Sequence, residues 1–131
     1  MKKLVPHLRI KNAKEAIEFY QQVFGGEIKQ TQLADGIEMF KGHEGKYIHA
    51  ELHDNENCII YVADLFDEEI TVGSNILLGP DFDSEQEIRN VYEALSKEGK
   101  IEMELHDTFW GAKHAIVKDK YGIKWELNYT K

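Results

Sequence analysis

The sequence predicts an α+β fold made of two βαβββ modules of about equal length. One observation is an apolar helical stripe that recurs after an offset of 71 residues. Its members are Ile17, Tyr20 and Phe24 in the first copy and Ile88, Val91 and Leu95 in the second. The other is that each copy has one strand candidate before it and three after it. The 131 residues suit one domain. We divide it into module 1 at about 1–63, a linker at 64–73 and module 2 at about 74–131.

Module 1 begins with a strand candidate at residues 4–10. Asn12 and Glu15 have capping-box spacing and predict the start of a helix, and Gly25-Gly26 predicts its end. Three further strand candidates lie at 27–33, 47–52 and 58–63, with a turn signal at 54–57 between the last two. The acidic run at 64–69 is interpreted as a solvated linker.

Module 2 repeats this order. A strand candidate at 75–78 is broken by Gly79-Pro80, and Ser84 with Glu87 forms a second capping box. Gly99 predicts the end of the second helix. The remaining strand candidates lie at 100–106, 113–118 and 123–129, and a hairpin signal at 119–122 joins the last two.

Strand alternation predicts which side chains share a face. In the first strand Leu4, Pro6, Leu8 and Ile10 form the apolar set that we expect to pack under the helices. His7 then points to the other face. In the third strand His49, Glu51 and His53 share that polar face, and in the last strand Glu126 does. Imidazoles and carboxylates that recur on one face are candidates for acid–base chemistry or metal binding.

Composition excludes several partners. There are 16 Lys and Arg against 24 Asp and Glu, a net charge of −8, which opposes nucleic-acid binding. No apolar run approaches the roughly 20 residues of a membrane helix, and the first residues contain no apolar signal-peptide core. Cys58 is the single cysteine, so no intrachain disulfide is possible and a reducing compartment is favoured. We expect a cytoplasmic protein with no nucleic-acid or membrane partner.

Six short segments, in this order and on a repeated module, resemble the vicinal-oxygen-chelate superfamily, which contains glyoxalase I, bleomycin-resistance proteins and extradiol dioxygenases. Within it the chain is most similar to the PhnB-like group. The segments lie at residues 4–8, 13–20, 23–27, 49–52, 109–111 and 119–126. The resemblance implies an incomplete barrel of mixed sheet, in which the two modules enclose a shared cleft. It also implies a homodimer.

The resemblance further implies a divalent metal that acts as a Lewis acid on adjacent substrate oxygens. Carried onto this chain, the metal ligands of glyoxalase-type members fall at Val5, at Ile60 or Tyr61, at Asn75 and at Glu126. Val5 and Ile60 have no donor atom and Asn75 is a poor ligand, so only Glu126 keeps a ligating side chain. A catalytic site needs about three protein ligands. Glyoxalase I activity is therefore not supported.

A displaced metal site is conceivable at His7, His49 and Glu126, which would suit Zn, Ni, Mn or Fe. The favoured alternative is that these are hydrogen-bonded polar groups lining the cleft, with no metal. Glu126, His49 and Glu51 are the candidates for acid–base catalysis. The candidates for contact with a ligand are His7, Asn75, Tyr61, Phe109 and Trp110.

Phe109-Trp110-Gly111 is interpreted either as an aromatic wall for a ligand or as a core or dimer contact. Cys58 is interpreted as a core thiol in preference to a nucleophile. His43 and His106 are expected at the surface, while the facing of His114 stays open. PhnB-like proteins are often linked to a demethylubiquinone methyltransferase. The segment at 79–82 lacks the glycine-rich turn of such cofactor sites, so methyl transfer is not supported.

Three functions remain open at this stage. The first is a protein that binds a small molecule in its cleft, as bleomycin-resistance relatives do, with its catalytic status uncertain. The second is a divalent-metal-dependent lyase, isomerase or dioxygenase acting on a small oxygenated substrate. The third is a dimeric interaction module whose cleft is vestigial.

Overall fold

The computed structural model describes residues 1–55 and 57–131. Its elements, in order, are β1 (His7–Arg9), α1 (Ala13–Phe24), β2 (Glu27–Leu33), a short 3-10 helix (Glu38–Phe40), β3 (Tyr47–Asp54), β4 (Asn57–Ala63), α2 (Glu85–Ser96), β5 (Lys100–Asp107), β6 (Ala112–Lys118) and β7 (Lys124–Thr130). Glu56, within the predicted turn at 54–57, lies outside the described residues. The chain divides into two compact units, Met1–Thr71 and Val72–Lys131. The predicted α+β class with two modules is confirmed.

In unit 1 the sheet order is β1-β4-β3-β2, with β1 parallel to β4 and the other pairs antiparallel. Helix α1 packs on one face and buries Ile17 and Tyr20. Leu8 and Ile10 are buried as predicted, but Leu4 is 85% exposed. That part of the prediction is wrong because β1 pairs only over His7–Arg9, so Leu4 lies beyond the sheet.

In unit 2 the sheet order is β5-β6-β7, all antiparallel, and α2 buries Ile88, Val91 and Leu95. The predicted strand at 75–78 does not form. Instead, Leu78 and Asp81 make isolated parallel bridges with β7. The carbonyls of Leu78 and Pro80 accept hydrogen bonds from β7, but Pro80 has no N–H to donate in return. The proline therefore interrupts what would be the fourth strand of this sheet.

The N-terminus of α2 forms as predicted, because the Ser84 side chain accepts a hydrogen bond from the Glu87 N–H at 3.1 Å. Asn12 is the N-cap residue of α1, as predicted, but the predicted side-chain capping hydrogen bond does not form. Asn12 has a left-handed backbone conformation with φ 66°, its side chain accepts no capping hydrogen bond, and its amide donates to the Glu15 carboxylate instead. Among the described residues, no helix combines the length and apolar character needed to cross a membrane.

Asp64 supplies the capping hydrogen bond that the Asn12 side chain does not. Its carboxylate accepts hydrogen bonds from the backbone N–H of Ala13 at 2.9 Å and of Tyr47 at 2.6 Å, and the residue is only 6% exposed. The interpretation of 64–69 as a solvated linker is therefore wrong at Asp64. This side chain joins the start of α1 to the start of β3, and a negative charge at a helix N-terminus is also favourable.

We expect Asp64→Ala to lower the free energy of unfolding by about 2–4 kcal/mol, because two backbone N–H groups lose a charged acceptor. Urea denaturation followed by circular dichroism measures this change. Asp67→Ala is the matched control, since the Asp67 side chain is 91% exposed and its loss should cost less than about 0.5 kcal/mol. Equal losses in the two variants would contradict the capping role of Asp64.

Candidate functional site

Three polar residues of β3, predicted to share one face, lie together on the unit 1 sheet. They are His49, Glu51 and His53, and their face is opposite the one that buries Ala50 and Leu52. The Nε2 atoms of His49 and His53 each lie 2.7 Å from a different oxygen of the Glu51 carboxylate. These hydrogen bonds, first from His49 and then from His53, lower the pKa of the Glu51 carboxyl group. The glutamate is thereby held ionised between two imidazoles.

His7 and Tyr61 lie next to this triad. Tyr61 pairs with His7 on one side and with Glu51 on the other. The Tyr61 ring centroid is 5.9 Å from that of His7 and 4.9 Å from that of His49. Partial desolvation, followed by the positive charges of Arg9 and His49, lowers the pKa of His7. The structure therefore gathers His7, His49, Glu51 and Tyr61, all predicted site residues, on one sheet face.

Cys58 joins the same face because of a change of register in the hairpin of β3 and β4. Regular pairing reaches Leu52 opposite Ile60, and then shifts by one residue so that His53 lies opposite Cys58. Such a β-bulge re-aims side chains. The donor atoms of Glu51, His53 and Cys58 all lie within 4.8 Å of one another. Sequence reasoning missed this group because hydrophobic patterning gives no signal of a bulge.

The environment of Cys58 differs from the core predicted for it. The residue is half-buried and its Sγ lies 3.5 Å from the Ile60 carbonyl oxygen. Burial raises the pKa of the Cys58 thiol, and the negative charge of Glu51 raises it further. A raised thiol pKa opposes nucleophilic reactivity, and the interpretation that Cys58 is not a nucleophile stays a prediction.

Unit 2 has a pocket of about 430 Å³, here called the Trp110 pocket. Its lining residues are Gly79, Asp81, Trp110, His114, Glu126 and Asn128. The His114 Nε2 lies 3.1 Å from a Glu126 carboxylate oxygen, and the Asn128 amide donates to Asp81 at 3.1 Å. Glu126 and Trp110 were candidates from the sequence. His114, whose facing the sequence left open, lines the pocket. Asp81 reaches the pocket because it bridges Asn128.

Phe109 is not a core residue. It is 97% exposed, and its ring stands edge-on to that of Trp110 with the centroids 4.8 Å apart. Gly111, with φ 86°, forms the turn that follows. The core interpretation of this aromatic segment is therefore wrong for Phe109, and its role as a dimer contact stays a prediction. Trp110 is 58% exposed and keeps one side on the pocket.

The residues at the positions of the glyoxalase metal do not fit a metal ion. Val5 and Ile60 carry hydrocarbon side chains, and Ile60 is buried. Asn75 is exposed outside any strand and is not part of the Trp110 pocket lining. The predicted metal set of His7, His49 and Glu126 draws on both units and stays a prediction, as does ligand contact by Asn75.

Comparison with known proteins identifies the fold. The family model of the Glyoxalase/Bleomycin resistance protein/Dioxygenase superfamily matches residues 4–127. The structure of protein PA1353 from Pseudomonas aeruginosa is similar with a TM-score of 0.87 and 25% identity, covering 99% of this chain and 98% of that one. The chain belongs to the glyoxalase/bleomycin resistance protein/dioxygenase superfamily.

Its neighbours include PhnB-like proteins. The PhnB protein from Bacillus cereus has a TM-score of 0.83 and 28% identity, covering 98% of this chain and all of that one. Protein YjdN of Escherichia coli (strain K12) is 25% identical over 141 aligned positions, covering 92% of this chain and 89% of YjdN. The resemblance to the PhnB-like group is thus confirmed.

The lowered pKa of Glu51 makes stability depend on pH. Folding lowers this pKa, so the stabilisation is complete above the ordinary glutamate pKa of about 4.3 and is lost as the pH falls through the lower folded value. We expect the difference in unfolding free energy between the wild type and Glu51→Gln to have its full size at about pH 5 and above, and to shrink towards about pH 3. Urea denaturation at each pH measures it.

Glu18→Gln, at an exposed position of α1, is the control. Its unfolding free energy should follow that of the wild type across the same pH range. A difference between Glu51→Gln and wild type that does not change with pH would contradict the assignment.

Proposed function

We propose that the protein binds a small molecule in the Trp110 pocket. The observation that carries this proposal is a cavity of about 430 Å³ in which an indole ring lies beside an imidazole and two carboxylates. Pockets for small molecules commonly measure roughly 300–1,000 Å³ and combine an apolar wall with a few polar groups. The family of the chain, which includes bleomycin resistance proteins, supports a binding role.

The charge of the lining favours a cationic ligand. Asp81 and Glu126 contribute two carboxylates, and no Lys or Arg occurs among the described lining residues. The face of an indole attracts cations as well, by about 0.5–2 kcal/mol depending on desolvation. The net charge of −8 acts in the same direction over longer distances. We therefore assign a small organic cation with a planar apolar part.

Hydrogen bonds would orient such a ligand. His114 occupies the Oε2 atom of Glu126, and we assign the second oxygen, Oε1, to a donor group of the ligand. The Glu126 side chain is 48% exposed, so a ligand can reach it, whereas the His114 side chain is only 14% exposed. Glu126 is then also the group in the pocket best placed to accept a proton, should binding lead to reaction.

Metal-dependent chemistry on a small oxygenated substrate is the second candidate function. The observation that favours it is the group of Glu51, His53 and Cys58, whose donor types bind first-row divalent ions.

A dimeric interaction module is the third candidate function, and the exposed Phe109 favours it. Sedimentation analysis of the wild type and Phe109→Ala separates this third function from ligand binding, because only a dimer contact would change the sedimentation.

The test of small-molecule binding uses three probes of similar size: phenyltrimethylammonium, benzyl alcohol and benzoate. We expect the cation to change the fluorescence of Trp110 in a saturable way, the alcohol to bind more weakly and benzoate not to bind. Trp110→Phe identifies the signal, because the buried Trp125 is the other tryptophan. Calorimetry then measures the loss of affinity in Trp110→Ala, expected at about 5–30-fold.

Glu126→Gln should weaken binding of the cation while leaving the affinity for benzyl alcohol nearly unchanged, because the charge is removed while the amide oxygen still accepts a hydrogen bond from the alcohol. Glu104→Gln, an exposed position on β5 outside the pocket lining, should bind the cation as the wild type does. Binding of benzoate as tight as that of the cation, or no binding of any probe, would contradict the proposal.

A further inference from the structure

We infer that unit 1 carries a zinc-binding site formed by the Sγ of Cys58, the Nε2 of His53 and the carboxylate of Glu51. These residues differ from the positions of the glyoxalase metal, and they lie in the other unit from the Trp110 pocket. The inference deepens the second candidate function, metal-dependent chemistry, which rests on the same three residues, and it is independent of small-molecule binding in the Trp110 pocket.

The distances fit a zinc ion after small side-chain movements. Ligands on one tetrahedral zinc lie roughly 3.3–3.8 Å apart, given bond lengths of about 2.0–2.3 Å. The three donor atoms all lie within 4.8 Å of one another. The His53 Nε2 and Glu51 Oε1 atoms are 2.7 Å apart and would open slightly to admit the ion between them. The Cys58 Sγ lies within 4.8 Å of the other two donor atoms, so a modest rotation about χ1 would bring it to bonding distance of the ion.

The backbone is arranged to bring these three residues together. Continued regular pairing would have placed Ile59 opposite His53, with a hydrocarbon on the open face. The bulge places Cys58 there instead. Bulges of this kind are often found next to functional sites, where they re-aim one side chain.

A further residue positions the carboxylate ligand. His49 contacts the Oε2 atom of Glu51 at 2.7 Å, so the other oxygen is directed towards His53 and Cys58. Such partners orient metal-bound carboxylates in known sites. The side chains of Glu51 and His53 are 16% and 15% exposed, which shields the group from bulk water while leaving a path for an ion.

The donor set selects the ion. Sulfur and imidazole donors favour zinc and its neighbours over Mg²⁺ and Ca²⁺, which prefer oxygen. Binding releases the Cys58 thiol proton to water, and the thiolate then bonds to the metal. Three protein ligands leave a fourth position for water or a substrate oxygen, as in catalytic zinc sites.

The test uses tag-free full-length protein, stripped with a chelator and titrated with Co²⁺ as a spectroscopic substitute for Zn²⁺. We expect a thiolate-to-cobalt charge-transfer band in the near ultraviolet that saturates at one Co²⁺ per chain and disappears when Zn²⁺ is added. Cys58→Ser and His53→Gln should each abolish the band. His49→Gln should keep the band but weaken cobalt binding about 10–100-fold, because only the positioning of Glu51 is lost.

His106→Gln is the matched control, since His106 is an exposed histidine of unit 2, and it should bind Co²⁺ as the wild type does. Circular dichroism confirms that each variant is folded. No charge-transfer band in the wild type, or a band that survives Cys58→Ser, would overturn the zinc site. Either result would leave probe binding by the Trp110 pocket unaffected, so the two proposals fail separately.

Discussion

The pairing of β3 with β4 is the constraint on which the unit 1 site depends. Side chains alternate along a strand, so the pairing that buries Ala50 and Leu52 on one face also places His49, Glu51 and His53 on the other. A slip of one residue would exchange the two sets and expose the apolar pair. The hydrophobic burial of two residues with 0% exposure therefore also fixes the position of the polar group.

Two buried carboxylates hold the ends of the strands that carry the candidate sites. Asp64 joins the start of β3 to helix α1 in unit 1. In unit 2 Asp119 is 4% exposed and accepts hydrogen bonds from the backbone of Ile123 and from the Trp125 indole, so the turn before β7 is fixed to the core. Both aspartates are buried acceptors with several donors, which is the condition under which a buried charge is tolerated.

The sequence was sufficient for elements whose signal is periodic. Both helices and most strands were predicted because apolar residues recur at helical or alternating spacing over whole turns. Glu126 was a candidate because it keeps the one ligating side chain at a glyoxalase-type metal position, and Trp110 because it belongs to the aromatic segment Phe109-Trp110-Gly111. The capping role of Asp64 was not predicted, because an aspartate in an acidic run is typical of a solvated segment. Only the fold brings the two backbone N–H groups to its carboxylate. The strand at 75–78 is replaced by isolated bridges at Leu78 and Asp81, which stay separate because Pro80 between them has no N–H to donate to β7.

Cys58 shows the limit of sequence reasoning most clearly. Its position opposite His53 depends on one extra residue in β4, and neither composition nor periodicity encodes that. Each unit then has its own candidate site: an acidic aromatic pocket in unit 2 and a thiol, imidazole and carboxylate group in unit 1. Small-molecule binding would then belong to unit 2 and metal binding to unit 1, the two halves of a repeated fold.

The most direct test of this division is an amide correlation spectrum of ¹⁵N-labelled protein, recorded with Zn²⁺ and separately with phenyltrimethylammonium. The account predicts that zinc shifts the signals of His53 and Cys58, and that the cation shifts the Trp110 indole and the Asn128 side-chain amide. Two additions that perturb the same residues, or that leave all four of these signals unchanged, would contradict it.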